Sequence, residues 1–241
     1  VIGTDLPAEA KQLQREYPGT LLLPLGHGGF EITQHRGVQE ALLRLVQALP
    51  RDADKTSQPT FNIIGSCADL FRFQADAQEI LRIMQGAFGM KPLCVLTSDT
   101  SIADIESMGG AHINLVIRRE GESAAKHLQA RFGTPYLIGR PYGVEGTARW
   151  IRDAAEMLNA PTNRDFMNSQ IREVKKLLSD IAPWLRHLIR DQPGEIRLSV
   201  GAHADVVRGI LDFGHGELSL PKGTCWCDSP DMAGDGIPYF T

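Results

Sequence analysis

Between residues 57 and 160, strand-length apolar runs alternate with amphipathic segments. That alternation restricts the chain to strand–helix–strand repeats. Phe61 to Gly65, Leu93 to Thr97, Ile113 to Ile117 and Pro135 to Gly139 are the runs. Between them, Ala77, Ile80, Leu81, Met84 and Phe88 step at helical spacing, as do Ala124, Ala125, Leu128 and Phe132. Val144, Ala148, Ile151, Ala155 and Leu158 mark a further helix. Ser101-x-x-Asp104 predicts a capping box opening a short helix, and Gly133 predicts a helix C-cap. The expected class is α/β, with Rossmann-like parallel sheets flanked by helices, arranged as two to three sub-domains and wound by right-handed crossovers.

The flanks are less regular. Thr20 to Leu25 reads as a strand followed by a glycine-rich loop. Residues 37–49 read as a helix with one apolar face, closed by Pro50. The polar stretch 51–59 reads as a linker. Beyond Pro161, Met167, Ile171, Val174, Leu178, Ile181, Leu185 and Leu188 form a heptad-like stripe that Pro183 should kink or split. Such a stripe is expected to pack on a neighbouring unit. Ile196 to Gly201 reads as a strand and Asp205 to Phe213 as a helix. The tail from Cys225 reads as two short strands. The expected division is 1–56, a partial first α/β domain; 57–160, a complete doubly wound domain; and 161–241, a long linking helix with a partial third α/β domain.

Composition narrows the function classes. A net charge of -4 argues against a nucleic-acid partner, which calls for a basic surface. No apolar run reaches bilayer length, so no membrane partner is expected, and the first ten residues lack the pattern of a secretory signal. Four cysteines in 241 residues do not make a disulfide framework. A reducing, cytoplasmic setting is therefore expected. The chain opens on Val1 rather than methionine, as a processed or partial chain would.

No Walker loop, G-x-G-x-x-G, H-E-x-x-H or C-x-x-C occurs. The candidates are therefore positional. Gly28 and Gly29 follow an apolar run, where backbone can approach a ligand closely; the bland reading, which the sequence favours, is a plain tight turn before a helix. His27 and His35 flank that loop, as a metal pair or as surface polar residues. Cys67, Asp99, Arg118, Arg119 and Arg140 each follow a predicted strand, so parallel pairing would bring them to one carboxyl edge, where ligands collect. The arginines would there neutralise an anionic cofactor such as a carboxylate-bearing tetrapyrrole or a sulfide-rich cluster; the alternative is ordinary loop arginines. Cys67 reads as a cluster ligand or as an inert, partly buried thiol. Cys225 and Cys227 share one strand face. A metal there needs further ligands, with His203 and His215 nearest in sequence.

Several ordered segments resemble the nitrogenase component 1 family, which includes nitrogenase subunits, cofactor-assembly scaffolds and tetrapyrrole reductases. Val1-Ile2-Gly3-Thr4-Asp5-Leu6 resembles its "IIGDDI" segment, and Gly28-Gly29-Phe30 its glycine-phenylalanine turn. Phe61-Asn62-Ile63-Ile64-Gly65 resembles "NIIG", and Ala111-His112-Ile113-Asn114-Leu115-Val116 resembles "A-x-x-N-L-V". Arg131 to Tyr136 resembles "K-Y-G-I-P-W/Y", and Gly236-Ile237-Pro238 resembles "G-I-P". The resemblance implies a component 1-type oxidoreductase subunit using an iron–sulfur cluster in its intact complex. It also implies a homologous second subunit and an ATP-dependent iron–sulfur reductase as partners. Two departures qualify it. The family's cluster cysteines lie upstream of the segment on which this chain opens, so this piece is not expected to hold a cluster by itself. The family's molybdenum-cofactor cysteine falls at Ile117, which points away from a molybdenum-iron nitrogenase proper. A non-catalytic carrier of a metallocofactor, or a Rossmann-like small-molecule binding protein, are the other readings.

Overall fold

The computed structural model describes residues 5–26, 34–192 and 194–228. Its centre is a four-stranded sheet of β1 (Thr60–Ser66), β2 (Lys91–Thr97), β3 (Ile113–Val116) and β4 (Tyr136–Ile138), in the order β2-β1-β3-β4. Every pairing is parallel. The winding runs outward from β1 to β2 on one side and from β3 to β4 on the other. The carboxyl ends of β1 and β3 therefore flank the topological switch point.

The strands are buried on both faces, so their side chains alternate between two cores. Phe61, Ile63, Ile113 and Leu115 face α3 (Phe73–Phe88) and α6 (Gly143–Leu158), meeting Ile80, Met84, Trp150 and Ile151. Ile64, Leu96 and Val116 face the other way. They meet Leu42 and Val46 of α2 (Gln34–Ala48), Ile105 of α4 (Ile102–Ser107) and Leu128 of α5 (Glu122–Phe132). Each such fully buried side chain contributes roughly 1.5–3 kcal/mol. Helix α2 thus covers the central sheet, although the polar segment 51–59 separates them in sequence. Asn62 and Asn114, paired across β1 and β3, sit within the second face. The Asn62 amide donates to Asn114 Oδ1 at 2.8 Å and to the Met108 carbonyl at 3.0 Å.

Local signals explain the helix ends. The Ser101 hydroxyl receives the Asp104 N–H while the Asp104 carboxylate receives the Ser101 N–H, closing the expected capping box. Gly133 adopts the left-handed C-cap of α5. Other expectations change. Thr20 to Leu25 forms no strand; Leu21 and Leu25 are exposed, and the run has no ladder partner among the described residues. The N-terminal segment instead supplies α1 (Leu6–Glu16), capped by Asp5, whose side chain receives the Ala8 N–H. Helix α7 (Arg164–Asp191) passes through Pro183 as one element. Its first turns pack Phe166 and Met167 on the α3/α6 core, while Leu177, Ile181 and Trp184 are exposed.

A second unit follows: β5 (Leu198–Ala202), α8 (Ala204–Gly216) and β6 (Lys222–Cys227), a parallel two-stranded β-α-β turn. Its core is Val207, Leu211, Cys225 and Cys227 with Leu198 and Val200. The expected second tail strand and the Gly236-Ile237-Pro238 segment lie outside the described residues, as do His27, Gly28 and Gly29. No helix among the described residues is long and apolar enough to cross a membrane.

Candidate functional site at the carboxyl edge

Parallel pairing puts the residues after each strand on one rim: Cys67 after β1, Asp99 after β2, Arg118 and Arg119 after β3, and Arg140 after β4. What they do there differs from one to the next.

Arg118 is 1% exposed, the largest fully buried side chain among the described residues. Its Nη1 donates to both oxygens of Asp69 at 2.8 and 3.0 Å, while Nε and Nη2 donate to Glu120 at 3.1 and 2.9 Å. Asp69 follows β1 and Glu120 follows β3, so one guanidinium bridges the switch point by pairing with a carboxylate from each side. Gly65 makes this possible. Its φ of +98° suits glycine, and a Cβ there would lie 2.4 Å from Arg118 Cγ.

Glu120 is the hub of the cluster. Its Oε1 also accepts from His35 Nδ1 of α2 at 2.5 Å and from His203 Nε2, just ahead of α8, at 2.9 Å. Burial pushes the Glu120 carboxyl up, but the hydrogen bonds it accepts from His203, Arg118 and His35 hold it well below the usual carboxylate range. His35 Nε2 lies 3.1 Å from the Asp228 carbonyl, past the end of β6. The two imidazole rings are 5.5 Å apart.

His35, Glu120 and His203 bring three buried donor atoms within 4.8 Å, the ligand types of a two-histidine, one-carboxylate metal centre. The hydrogen-bond roles close the trio another way. Glu120 Oε1 already accepts from Arg118, and the Asp205 N–H points at His203 Nδ1 at 3.3 Å. That leaves the His203 proton on Nε2, the nitrogen an ion would need. The arrangement is an ion-paired hydrogen-bond network joining the first sheet to the second unit.

Two neighbouring links tie the same units. Arg119 Nε donates to Asp205 Oδ1 at 3.2 Å and its backbone N–H to Oδ2 at 2.9 Å. Glu217, after α8, receives the Val144 and Glu145 N–H groups at 2.9 Å each, capping α6. Arg140 turns inward, donating to the Ile117 carbonyl and to Asp76 Oδ2 at 2.8 Å. Burial raises the Asp76 carboxyl against the pull of Arg140 and Arg72.

The other sequence candidates separate. Asp99 is exposed, at φ +49° in the turn after β2. Cys67 is half-buried and accepts from the Thr97 hydroxyl at 3.7 Å, beside the Ser66–Ser98 hydroxyl pair at 2.7 Å. Cys225 and Cys227 share a face of β6, as strand alternation requires, and that face is the core of the second unit. None of the four cysteines forms a disulfide. His215 bonds the Leu220 carbonyl at 2.5 Å rather than a thiol. Sequence reasoning missed Asp69, Glu120, Asp205 and Glu217. Their one available signal was position, since Asp69, Glu120 and Asp205 all sit at strand-to-helix junctions.

An iron–sulfur cluster needs several thiolates converging on one point. Here Cys67 lies on the rim, Cys94 and the Cys225/Cys227 pair lie in separate apolar cores, and burial pushes the Cys94 thiol up to about 11. The described residues do not fit a cluster.

A family model described as nitrogenase component 1 type oxidoreductase matches residues 1–216. Curated relatives include a subunit of the light-independent protochlorophyllide reductase of Jannaschia sp. (strain CCS1), 29% identical over 72% of this chain and 34% of its own length. The subunit of the same name from Nostoc punctiforme is 35% identical over 51% of this chain and 25% of its own. A solved structure described as nitrogenase Cp1 at pH 5 superposes with a TM-score of 0.68 at 15% identity, covering 99% of this chain and 46% of that one. The chain thus spans about a third or less of these curated relatives, and about half of the solved chain. With the family model covering nearly the whole chain and the same parallel α/β architecture underneath, this protein belongs to the nitrogenase component 1 type oxidoreductase family.

Proposed function

We propose that this chain is part of a component 1-type subunit of a nitrogenase-like oxidoreductase whose intact complex passes low-potential electrons to a bound substrate. The observation that carries the reading is the family match across residues 1–216. The name shared by its relatives, light-independent protochlorophyllide reductase, favours a carboxylate-bearing tetrapyrrole as the substrate class. By the same likeness, the partners are a homologous second subunit and an ATP-dependent iron–sulfur reductase. Because the donor set among the described residues does not fit a cluster, its ligands in the complex come from other residues of the assembly. The contribution of this chain is then architectural and electrostatic. Of the rim positions, Asp99 is exposed and Cys67 half-buried, Arg119 is exposed but paired with Asp205, and Arg118 and Arg140 are engaged internally. A reducing, cytoplasmic setting is in keeping with four cysteines outside disulfides.

The test is anaerobic co-expression of the chain with a second component 1-type subunit and an ATP-dependent reductase, assayed for iron, sulfide and ATP-dependent reduction of a tetrapyrrole ring double bond. Reduction that disappears without this chain supports the reading. A complex that binds cluster and tetrapyrrole without turnover identifies a carrier instead. Failure to associate with either partner overturns the subunit assignment.

A further inference from the structure

Both ring nitrogens of His35 face acceptors: Nδ1 the Glu120 carboxylate at 2.5 Å, Nε2 the Asp228 carbonyl at 3.1 Å, with Asp228 Oδ1 at 3.7 Å. A neutral imidazole has one N–H and must present a lone pair to one of them; the imidazolium satisfies both. His203 differs, because the Asp205 N–H points at its Nδ1 and the neutral ring with its proton on Nε2 already satisfies both contacts. The two histidines share one carboxylate oxygen, but only His35 faces acceptors on both ring nitrogens.

We propose that His35 is a protonation-operated clamp: as the imidazolium it ties the end of β6 to the carboxyl edge of the first sheet, and on losing its proton it releases that end. The Glu120 contact survives deprotonation, since a neutral ring can keep its proton on Nδ1 beside the carboxylate. The Asp228 contact does not, because a carbonyl oxygen then faces the lone pair of a ring that is itself only 7% exposed, and the exposed Asp228 can turn to water instead. The clamp joins elements 193 residues apart in the chain, so its release loosens the second unit and leaves the first sheet intact.

The charged surroundings of His35 favour the closed state. Glu120 from the β3–α5 turn and Asp228 after β6 are negative. His203 ahead of α8 stands 5.5 Å away ring to ring, with Asp205 Oδ2 3.8 Å from its Nδ1. Arg118 is positive, but it is matched by Asp69 as well as Glu120. Burial lowers the proton affinity of His35; the Glu120 hydrogen bond, the Asp228 carbonyl and both carboxylate charges more than offset it, so the pKa is raised. A group that holds its proton more tightly when the clamp is closed stabilises the closed form below the ordinary histidine value of about 6.5 and loses that effect as pH rises through its own raised value.

The experiment uses the full chain. Ring-nitrogen NMR should show His35 protonated on both nitrogens at pH 6.5, the ordinary histidine midpoint. Amide exchange across residues 225–228, corrected for the intrinsic pH dependence, should lose protection by up to about tenfold per pH unit between about 6.5 and the His35 midpoint. Protection in β2, at the far edge of the first sheet, should not follow. His35→Gln, which offers one fixed donor, should abolish the pH dependence at 225–228. The proposal is overturned if His35 is neutral at pH 6.5, or if protection at 225–228 is the same on both sides of its titration; both readouts need only the unaltered chain.

Discussion

His35 Nδ1 and Glu120 Oε1 are 85 residues apart in sequence and 2.5 Å apart in space, inside a site that excludes water from the carboxylate completely. The contact exists because α2 packs on the same face of the sheet as α5, bringing the first turn of α2 over the β3–α5 junction. Glu120 thereby becomes the common acceptor for a guanidinium and two imidazoles.

Replacing that acceptor should be costly. Glu120→Gln leaves Arg118 half unpaired and His35 facing an amide, and removing one partner of a buried ion pair typically costs about 3–5 kcal/mol. Chemical denaturation should show a loss of that order. Arg82→Ala, which breaks an exposed pair with Glu79, should cost under about 1 kcal/mol. Equal effects from the two substitutions would contradict the assigned role of Glu120.

The same carboxylate sets an acid limit. Its folded pKa is depressed, so the folded state binds fewer protons than the unfolded chain in acid. Stability from Glu120 is fully present above the ordinary glutamate value of about 4.3 and drains away as pH falls below it. Denaturation midpoints recorded from pH 6 downward should decline more steeply in the unaltered chain than in Glu120→Gln. Parallel curves would mean that Glu120 is not the depressed group.

Gly65→Ala tests the close approach of β1 to Arg118. The added methyl meets the Arg118 stem at 2.4 Å on a backbone of φ +98°, where a non-glycine residue costs about 1–3 kcal/mol before any clash. Thermal unfolding should report a loss at or above that range. Gly146→Ala on α6, where nothing lies within 4 Å, should instead stabilise by up to about 1 kcal/mol. A neutral Gly65→Ala would show that Arg118 has room to move.

The cysteines should divide by reactivity. Cys94 is buried, bonded to the Thr100 hydroxyl at 3.2 Å and pushed up to about 11. Cys67 sits half-buried on the rim. Alkylation of the native chain at mild pH, mapped by mass spectrometry, should modify Cys67 first and leave Cys94 protected until unfolding. Modification of Cys94 at the rate of Cys67 would mean that the α4 side of the sheet opens readily.

What sequence alone determined was local. Apolar runs of strand length, helical spacing in α3, α5 and α6, the Ser101–Asp104 box and the Gly133 cap are each written within a few residues, and parallel pairing of such units makes one rim from the residues that follow the strands. Where short-range signals conflict with partner availability, they mislead: Thr20 to Leu25 has strand composition but no neighbour to pair with among the described residues, and Pro183 removes one hydrogen bond without ending a 28-residue helix. Tertiary structure alone decided which rim residues face outward. A guanidinium is an anion site or an internal strut according to which carboxylates reach it first. Parallel pairing of β1 and β3 brings Asp69 and Glu120 to the switch point and helix packing brings His35, over separations of up to 85 residues, a distance at which the pattern of one chain carries no record of its partners.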